Sequence, residues 1–180
     1  MQERILLLFC LHVAILINLL IATTTAFTTE AQCNTSWYSQ TYINGTCYTF
    51  VTFSGNYDQA MKKCTEFDDG HLVYPYYNLG NILQPKLYSL PEGTLLFVGL
   101  RQFPRNSSDE PNKEWYYVMS DNTTTQTVAA ALPWNTYYGE PILANDCGAF
   151  GYTGGLRTVN CSSSPGYLIC EYGNGKVIFL

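Results

Sequence analysis

Seven cysteines carry most of the reactive chemistry in this 180-residue chain, and only two histidines accompany them. Cys33, Cys47, Cys64, Cys147, Cys161 and Cys170 form an even set, while Cys10 stands apart inside an apolar leader. Thiols at these positions could attack a substrate, hold zinc or pair as disulfides. The leader favours the last: an even set of cysteines in a chain entering the secretory pathway reads as a disulfide framework. Counting alone leaves the pairing open. Cysteines committed to bridges supply neither a nucleophile nor a zinc cluster, and no thiol remains for a covalent dimer. Other catalytic patterns are missing: there is no His-Glu-X-X-His, no Gly-X-Ser-X-Gly and no phosphate loop. After loss of the leader the remaining histidine is His71. An enzyme is not expected.

The leader explains the compartment. Residues 5–22 are apolar apart from His12 and Asn18, Arg4 precedes them, and Thr23, Thr24, Thr25 and Ala26 follow. That is the build of a signal peptide over 1–26, with Ala31 as the alternative cleavage point. The rival is an uncleaved signal anchor, since the run approaches the roughly 20 residues that span a bilayer. Arg4 is offset by Glu3, so the charge asymmetry that would orient an anchor is weak. No later segment is long or apolar enough to span. Asn-X-Ser/Thr triplets at Asn34, Asn44, Asn106 and Asn122 fit passage through the secretory pathway as glycosylation sites. A fifth, Asn160-Cys161-Ser162, is compromised by its central cysteine. The expected location is secreted and extracellular.

The mature chain has the length of one ordinary domain with a real core. A net charge of −5 gives no electrostatic footprint for nucleic acid or anionic lipid. Only 13% of residues are charged, whereas tyrosine alone contributes 15. Tyrosine among Asn, Ser, Thr and Gly suits a surface that binds through hydrogen bonds and aromatic faces, although many tyrosines simply pack strands.

Tyr57, Ala60, Met61, Cys64 and Phe67 follow the spacing of an amphipathic helix. Asn56 with Gln59 resembles its N-terminal cap, and Gly70 is a stop. A weaker helix holds Leu79, Ile82 and Leu83 and then meets Pro85. Strand-like runs occupy 47–53, 95–100, 114–119 and 166–172. Between Asp121 and Cys161 periodicity fails, and Trp134, Tyr137, Tyr138 and Tyr152 lie scattered among Gly, Pro, Asn and Thr. A loop region this long in a compact domain is functional or mobile. Helices early, strands mostly late and one long irregular region predict an α+β fold.

In order and spacing these segments resemble a C-type lectin-like domain of the long form, over 33–172, with 173–180 as a short tail. Gly173 to Lys176 reads as flexible, and the last four residues as an edge strand or a frayed end. The first cysteine pair brackets a hairpin around Trp37. Ala60-Met61-Lys62-Lys63-Cys64 and Gly70-His71-Leu72-Val73 follow. The family's core Trp-Ile-Gly-Leu strand stands here as Phe97-Val98-Gly99-Leu100, and its Trp-Ser-Asp strand as Trp115-Tyr116-Tyr117-Val118-Met119-Ser120-Asp121. Trp134 with Gly139-Glu140-Pro141 matches the long loop; Asn145-Asp146-Cys147 and Ile169-Cys170-Glu171 complete the frame. The resemblance implies two helices, small antiparallel sheets, a long irregular loop region and three disulfides, between Cys33 and Cys47, Cys64 and Cys170, and Cys147 and Cys161. A closed loop of about 100 residues, as in the second, is worth about 4–5 kcal/mol of chain entropy.

Sugar-binding members of this family hold Ca²⁺ through a Glu-Pro-Asn triplet, a further carboxylate, and a Trp-Asn-Asp sequence. The corresponding positions here are Glu140-Pro141-Ile142, Asn145, and Leu156-Arg157-Thr158. The glutamate persists, but the other ligands have become Ile142, Asn145, Arg157 and Thr158. Ca²⁺ takes six to eight oxygens, and a guanidinium about 4 Å from a divalent ion costs about 8 kcal/mol at an effective dielectric of 20. No calcium and no other cofactor is expected. Arg157 is instead a candidate to occupy the ion's place by pairing with Glu140 or Asp146; the alternative is an exposed arginine that touches nothing specific. Glu110-Pro111-Asn112 spells the triplet letter for letter, but it precedes the Trp115 strand and reads as a surface hairpin.

What the resemblance implies is recognition. Trp134, Tyr137, Tyr138 and Tyr152 could stack on sugar rings, with Asn135, Asn145 and Glu140 as hydrogen-bond partners. The expected ligand is a glycan, or a cell-surface or secreted glycoprotein. The alternatives are a calcium-independent protein-binding module and a secreted structural or matrix component. Against a sugar role for Trp134, the family's tryptophan there usually packs beneath the loop.

Overall fold

The structure, a computed structural model, describes residues 30–33, 39–67, 70–76, 78–103, 114–119, 124–126, 131–142 and 145–173. The leader, the tail beyond Gly173, the candidate glycosylation residues Asn34, Asn106 and Asn122, Trp37, the 110–112 triplet and Ser120-Asp121 lie outside the described residues. Asn44 is within them, exposed at the turn between the first two strands.

A single helical turn, α1 (Glu30–Cys33), leads into the hairpin β1 (Ser39–Ile43) and β2 (Thr46–Thr52). Helix α2 (Tyr57–Cys64) starts where the sequence places it. Asn56 Oδ1 accepts from the Gln59 amide at 3.0 Å, while Gln59 Oε1 accepts from the Asn56 amide at 3.0 Å. The reciprocal pair satisfies two amides that a helix start leaves without partners. After the short β3 (His71–Leu72) comes α3 (Leu79–Leu87). Pro85 was expected to end this helix, yet the helix runs through it. Proline removes the bond to the Asn81 carbonyl, but Asn81 and Pro85 are exposed. Buried Leu79, Leu83 and Leu87, four residues apart, hold the last turn against the core.

The remaining strands are β4 (Leu95–Gln102), β5 (Trp115–Val118), β6 (Thr124–Gln126), β7 (Cys147–Gly151), β8 (Leu156–Val159) and β9 (Gly166–Gly173). The main path runs β1-β2-β9-β4-β5-β6, with β3 on β9 and the β7–β8 hairpin on β4. Two expectations are corrected here. The strands form one connected mixed sheet rather than small antiparallel ones, because β4 and β9 pair in parallel. And the region from 121 to 161 contains β6, β7 and β8, although its sequence lacks period-two alternation. In β7, Cys-Gly-Ala-Phe-Gly, every residue is buried, so no solvent face exists to impose an alternation.

Strand β4 divides the core. Leu96, Val98 and Leu100 pack with Trp115, Phe150, Ile169 and the leucines of α3. Phe97 points the other way, among Tyr57, Ala60 and Cys64 of α2 and Leu168 of β9. The disulfides Cys33–Cys47, Cys64–Cys170 and Cys147–Cys161 staple this arrangement. The second ties α2 to β9 across 106 residues, and the third clamps the β7–β8 hairpin.

Candidate functional site

Strand β8 and the segment after Trp134 build the site. The segment is fixed to β8 by backbone bonds: the Asn135 amide donates to the Leu156 carbonyl at 2.8 Å, and the Leu156 amide to the Pro133 carbonyl at 2.9 Å. Trp134 packs on Trp115 with ring centroids 5.0 Å apart, which gives it the supporting place beneath the loop. A 3-10 turn, Thr136–Tyr138, then carries the chain to Gly139 and to Glu140, whose peptide bond to Pro141 is cis.

The Glu140 carboxylate is buried, and Thr158 and Arg157 hold it. Oε2 accepts from the Thr158 amide at 3.0 Å and from the Thr158 hydroxyl at 2.6 Å. Nε of Arg157 lies 3.4 Å from Oε1. The Arg157 guanidinium also sits over the Tyr138 ring, 4.5 Å from its centroid. Thr158 Oγ1 in turn accepts from the Ile142 amide at 3.2 Å, and Asn145 Nδ2 lies 3.5 Å from the Thr158 carbonyl. Thus Glu140, Ile142, Asn145, Arg157 and Thr158 do converge. Arg157 pairs with Glu140; the Asp146 backbone carbonyl accepts from Gln102. Thr158 enters as a double donor to Glu140, a role its sequence position did not reveal. Among the described residues no three of His, Cys, Asp or Glu gather as a metal site.

The aromatic candidates separate into distinct places. Tyr137 is 88% exposed and meets Tyr138 edge-on at 5.1 Å. Tyr152 is elsewhere: its hydroxyl donates to Glu92 Oε1 at 3.3 Å and its ring lies 6.3 Å from that of Tyr88. The nearby Glu92 carboxylate pushes the Tyr152 phenol above its ordinary pKa. His71 Nε2 stands 3.2 Å from Glu171 Oε1, which also accepts from the Tyr117 hydroxyl and the Tyr74 amide. That cluster is buried and stitches β3, β5 and β9.

A groove of about 380 Å³ opens beside Tyr137, between the start of α3, residues 133–137 and the turn joining β7 to β8. Gly80, Asn81 and Thr153 line it and were not among the sequence candidates. The signal available for them is Gly154-Gly155, adjacent glycines that mark a close backbone approach.

Neither a protein-family model nor a curated protein sequence matches the chain. Solved structures do. A cow CD23 C-type carbohydrate-recognition domain, crystallised in the presence of a GlcNAc2Man3 oligosaccharide, superposes with a TM-score of 0.54 at 22% identity, over 78% of this chain and 98% of that one. The C-type lectin domain of murine dendritic cell inhibitory receptor 2, in complex with an N-glycan, gives 0.54 at 19% identity, over 75% and 96%. Human lithostathine gives 0.59 at 15% identity, over 84% and 100%. The chain therefore has the C-type lectin-like fold.

Proposed function

We propose that this protein is an extracellular carbohydrate-recognition module that works without the calcium ion of sugar-binding C-type lectins. The observation that carries the reading is the closed Glu140 site, on a fold shared with domains solved together with oligosaccharides. Ca²⁺ needs six to eight oxygens, several of them anionic. Here one carboxylate remains, its oxygens engaged by Thr158 and Arg157, and Ile142 offers a hydrocarbon. These residues do not fit the ion. The work proposed is binding rather than catalysis, and three disulfides support an oxidising compartment. Among the described residues no helix is long and apolar enough to cross a membrane.

An array of glycans, probed with and without chelator, tests this. Signals unchanged by EDTA are expected. Sugar binding abolished by EDTA, or calorimetric Ca²⁺ binding that Glu140→Ala removes, would return the conventional metal site. A second reading, a protein ligand, is favoured by the exposed side chains of Tyr137, Tyr138 and Ile142 on this face. It gains if the array stays silent while a glycan-free partner binds.

A further inference from the structure

We infer that the sugar lies not over the Glu140 position but in the adjacent groove beside Tyr137, and that the ligand is a neutral saccharide. The inference rests on the glycan reading above and adds where the ligand sits and what it carries. Three observations lead to it.

The groove is built rather than incidental. A Cβ on Gly80 would lie 1.9 Å from the Gly154 carbonyl oxygen, so α3 and the β7–β8 turn meet backbone to backbone. Gly154 holds φ at +85°, in the left-handed region. On the other wall, a Cβ on Gly155 would lie 2.8 Å from the Asn135 side chain. With the backbone bonds that fix residues 133–135 to β8, both walls are set before any ligand arrives. Such preorganisation lowers the ordering cost of binding.

Its lining selects a chemical class. None of the lining residues is charged. Asn81, Asn135, Thr136 and Thr153 bring amides and hydroxyls, which both donate and accept. A ligand carboxylate or sulfate would find no counter-charge among them, and an apolar ligand would strip water from polar groups without replacing their hydrogen bonds. A ring of hydroxyls meets both conditions. The volume lies in the range of ordinary small-ligand sites.

The two tyrosines of the 3-10 turn divide the work. Tyr138 stacks on Arg157, the partner of Glu140. Tyr137 leaves its ring in solvent at the groove's edge. An exposed ring beside a polar, uncharged groove is the arrangement that receives the C–H face of a pyranose while its hydroxyls turn to the groove.

The test uses the intact secreted protein on an array of neutral and sialylated N-glycans in EDTA. Tyr137→Ala truncates an exposed ring, and Thr153→Trp fills the groove from the opposite side. Both variants are expected to lose neutral-glycan binding by about tenfold or more, the effect of truncating or blocking an anchor, with melting temperatures near that of wild type. Neutral-glycan binding that either folded variant retains overturns the groove but leaves the glycan reading standing, most directly if Ile142→Ser abolishes binding instead. Binding confined to sialylated glycans overturns the neutral class. A wild-type protein that binds no glycan overturns both proposals.

Discussion

Glu140 and Arg157 set a buried carboxylate and a partly exposed guanidinium side by side. Glu140 is buried, and its dominant partners are the amide and hydroxyl of buried Thr158. Arg157 keeps about a third of its side chain in solvent, at 35%. The two partners therefore carry unequal weight. Glu140→Ala strands two donors on Thr158 and is expected to destabilise the fold by about 2–4 kcal/mol. Arg157→Gln removes a partly exposed ion pair and a ring contact, with an expected cost of about 1 kcal/mol or less. Urea unfolding of both variants checks the ranking. Equal losses would mean that the Arg157 contact outweighs the Thr158 bonds in holding Glu140. The resemblance makes Arg157 a candidate partner for Glu140 or Asp146, and the structure pairs it with Glu140. The Thr158 bonds were not legible, because a threonine hydroxyl reads equally well as a weak metal ligand or as a donor until the backbone fixes its direction.

The elements divide along the same line between what local sequence specifies and what tertiary burial decides. Helix α2 is written in Asn56, Gln59 and the spacing of Tyr57, Ala60 and Cys64, and the structure starts it at Tyr57. Asn56→Ala breaks the reciprocal cap and is expected to cost about 1 kcal/mol in a denaturant titration; no measurable change would show that burial alone fixes this helix. Strand β4 is equally legible over 95–100, an apolar run; the structure extends it through Arg101 and Gln102 and buries both of its faces. Its Gly99 faces a close approach: a Cβ there would lie 2.5 Å from the Tyr117 ring and 2.6 Å from the Leu72 carbonyl oxygen. Gly99→Ala is expected to cost about 1–3 kcal/mol through overpacking, measured the same way. Strands β7 and β8 escaped, since the first has no solvent face and the second is four residues long. The helix through Pro85 escaped because Leu83 and Leu87 outweigh a lost bond on the wet side. The groove lined by Gly80, Asn81 and Thr153 was not legible, since it is assembled from segments some 70 residues apart in sequence.

The tyrosine-rich composition has a consequence for the molecule as a whole. Tyr48, Tyr57 and Tyr117 are buried, and burial is the first cause that pushes each phenol above its ordinary pKa. A hydrogen bond with Tyr76 adds to this at Tyr48 and the Glu171 charge at Tyr117, whereas the Arg101 charge works against it at Tyr57. In the unfolded chain the same phenols titrate near about 10. Above that pH the unfolded state releases protons that the native state keeps, so the stability these phenols contribute is full below about pH 10 and lost as pH rises. Each retained proton adds about 1.4 kcal/mol per pH unit to the slope, so three give about 4. Guanidinium unfolding between about pH 8 and about pH 11, with tyrosinate absorbance followed in parallel, measures this slope. Native protein whose tyrosines all ionise near their ordinary value would contradict it. Tyr57 isolates one share: among the described residues its hydroxyl is buried and meets no hydrogen-bond partner. Tyr57→Phe removes an unsatisfied polar group while keeping the ring that packs edge-on to Phe97 at 5.4 Å. It is expected to leave stability at neutral pH unchanged or raised by about 1 kcal/mol, and to reduce the alkaline slope by about one third. A variant that loses stability at neutral pH would show that the Tyr57 hydroxyl has a partner, and the alkaline slope would then have to come from Tyr48 and Tyr117.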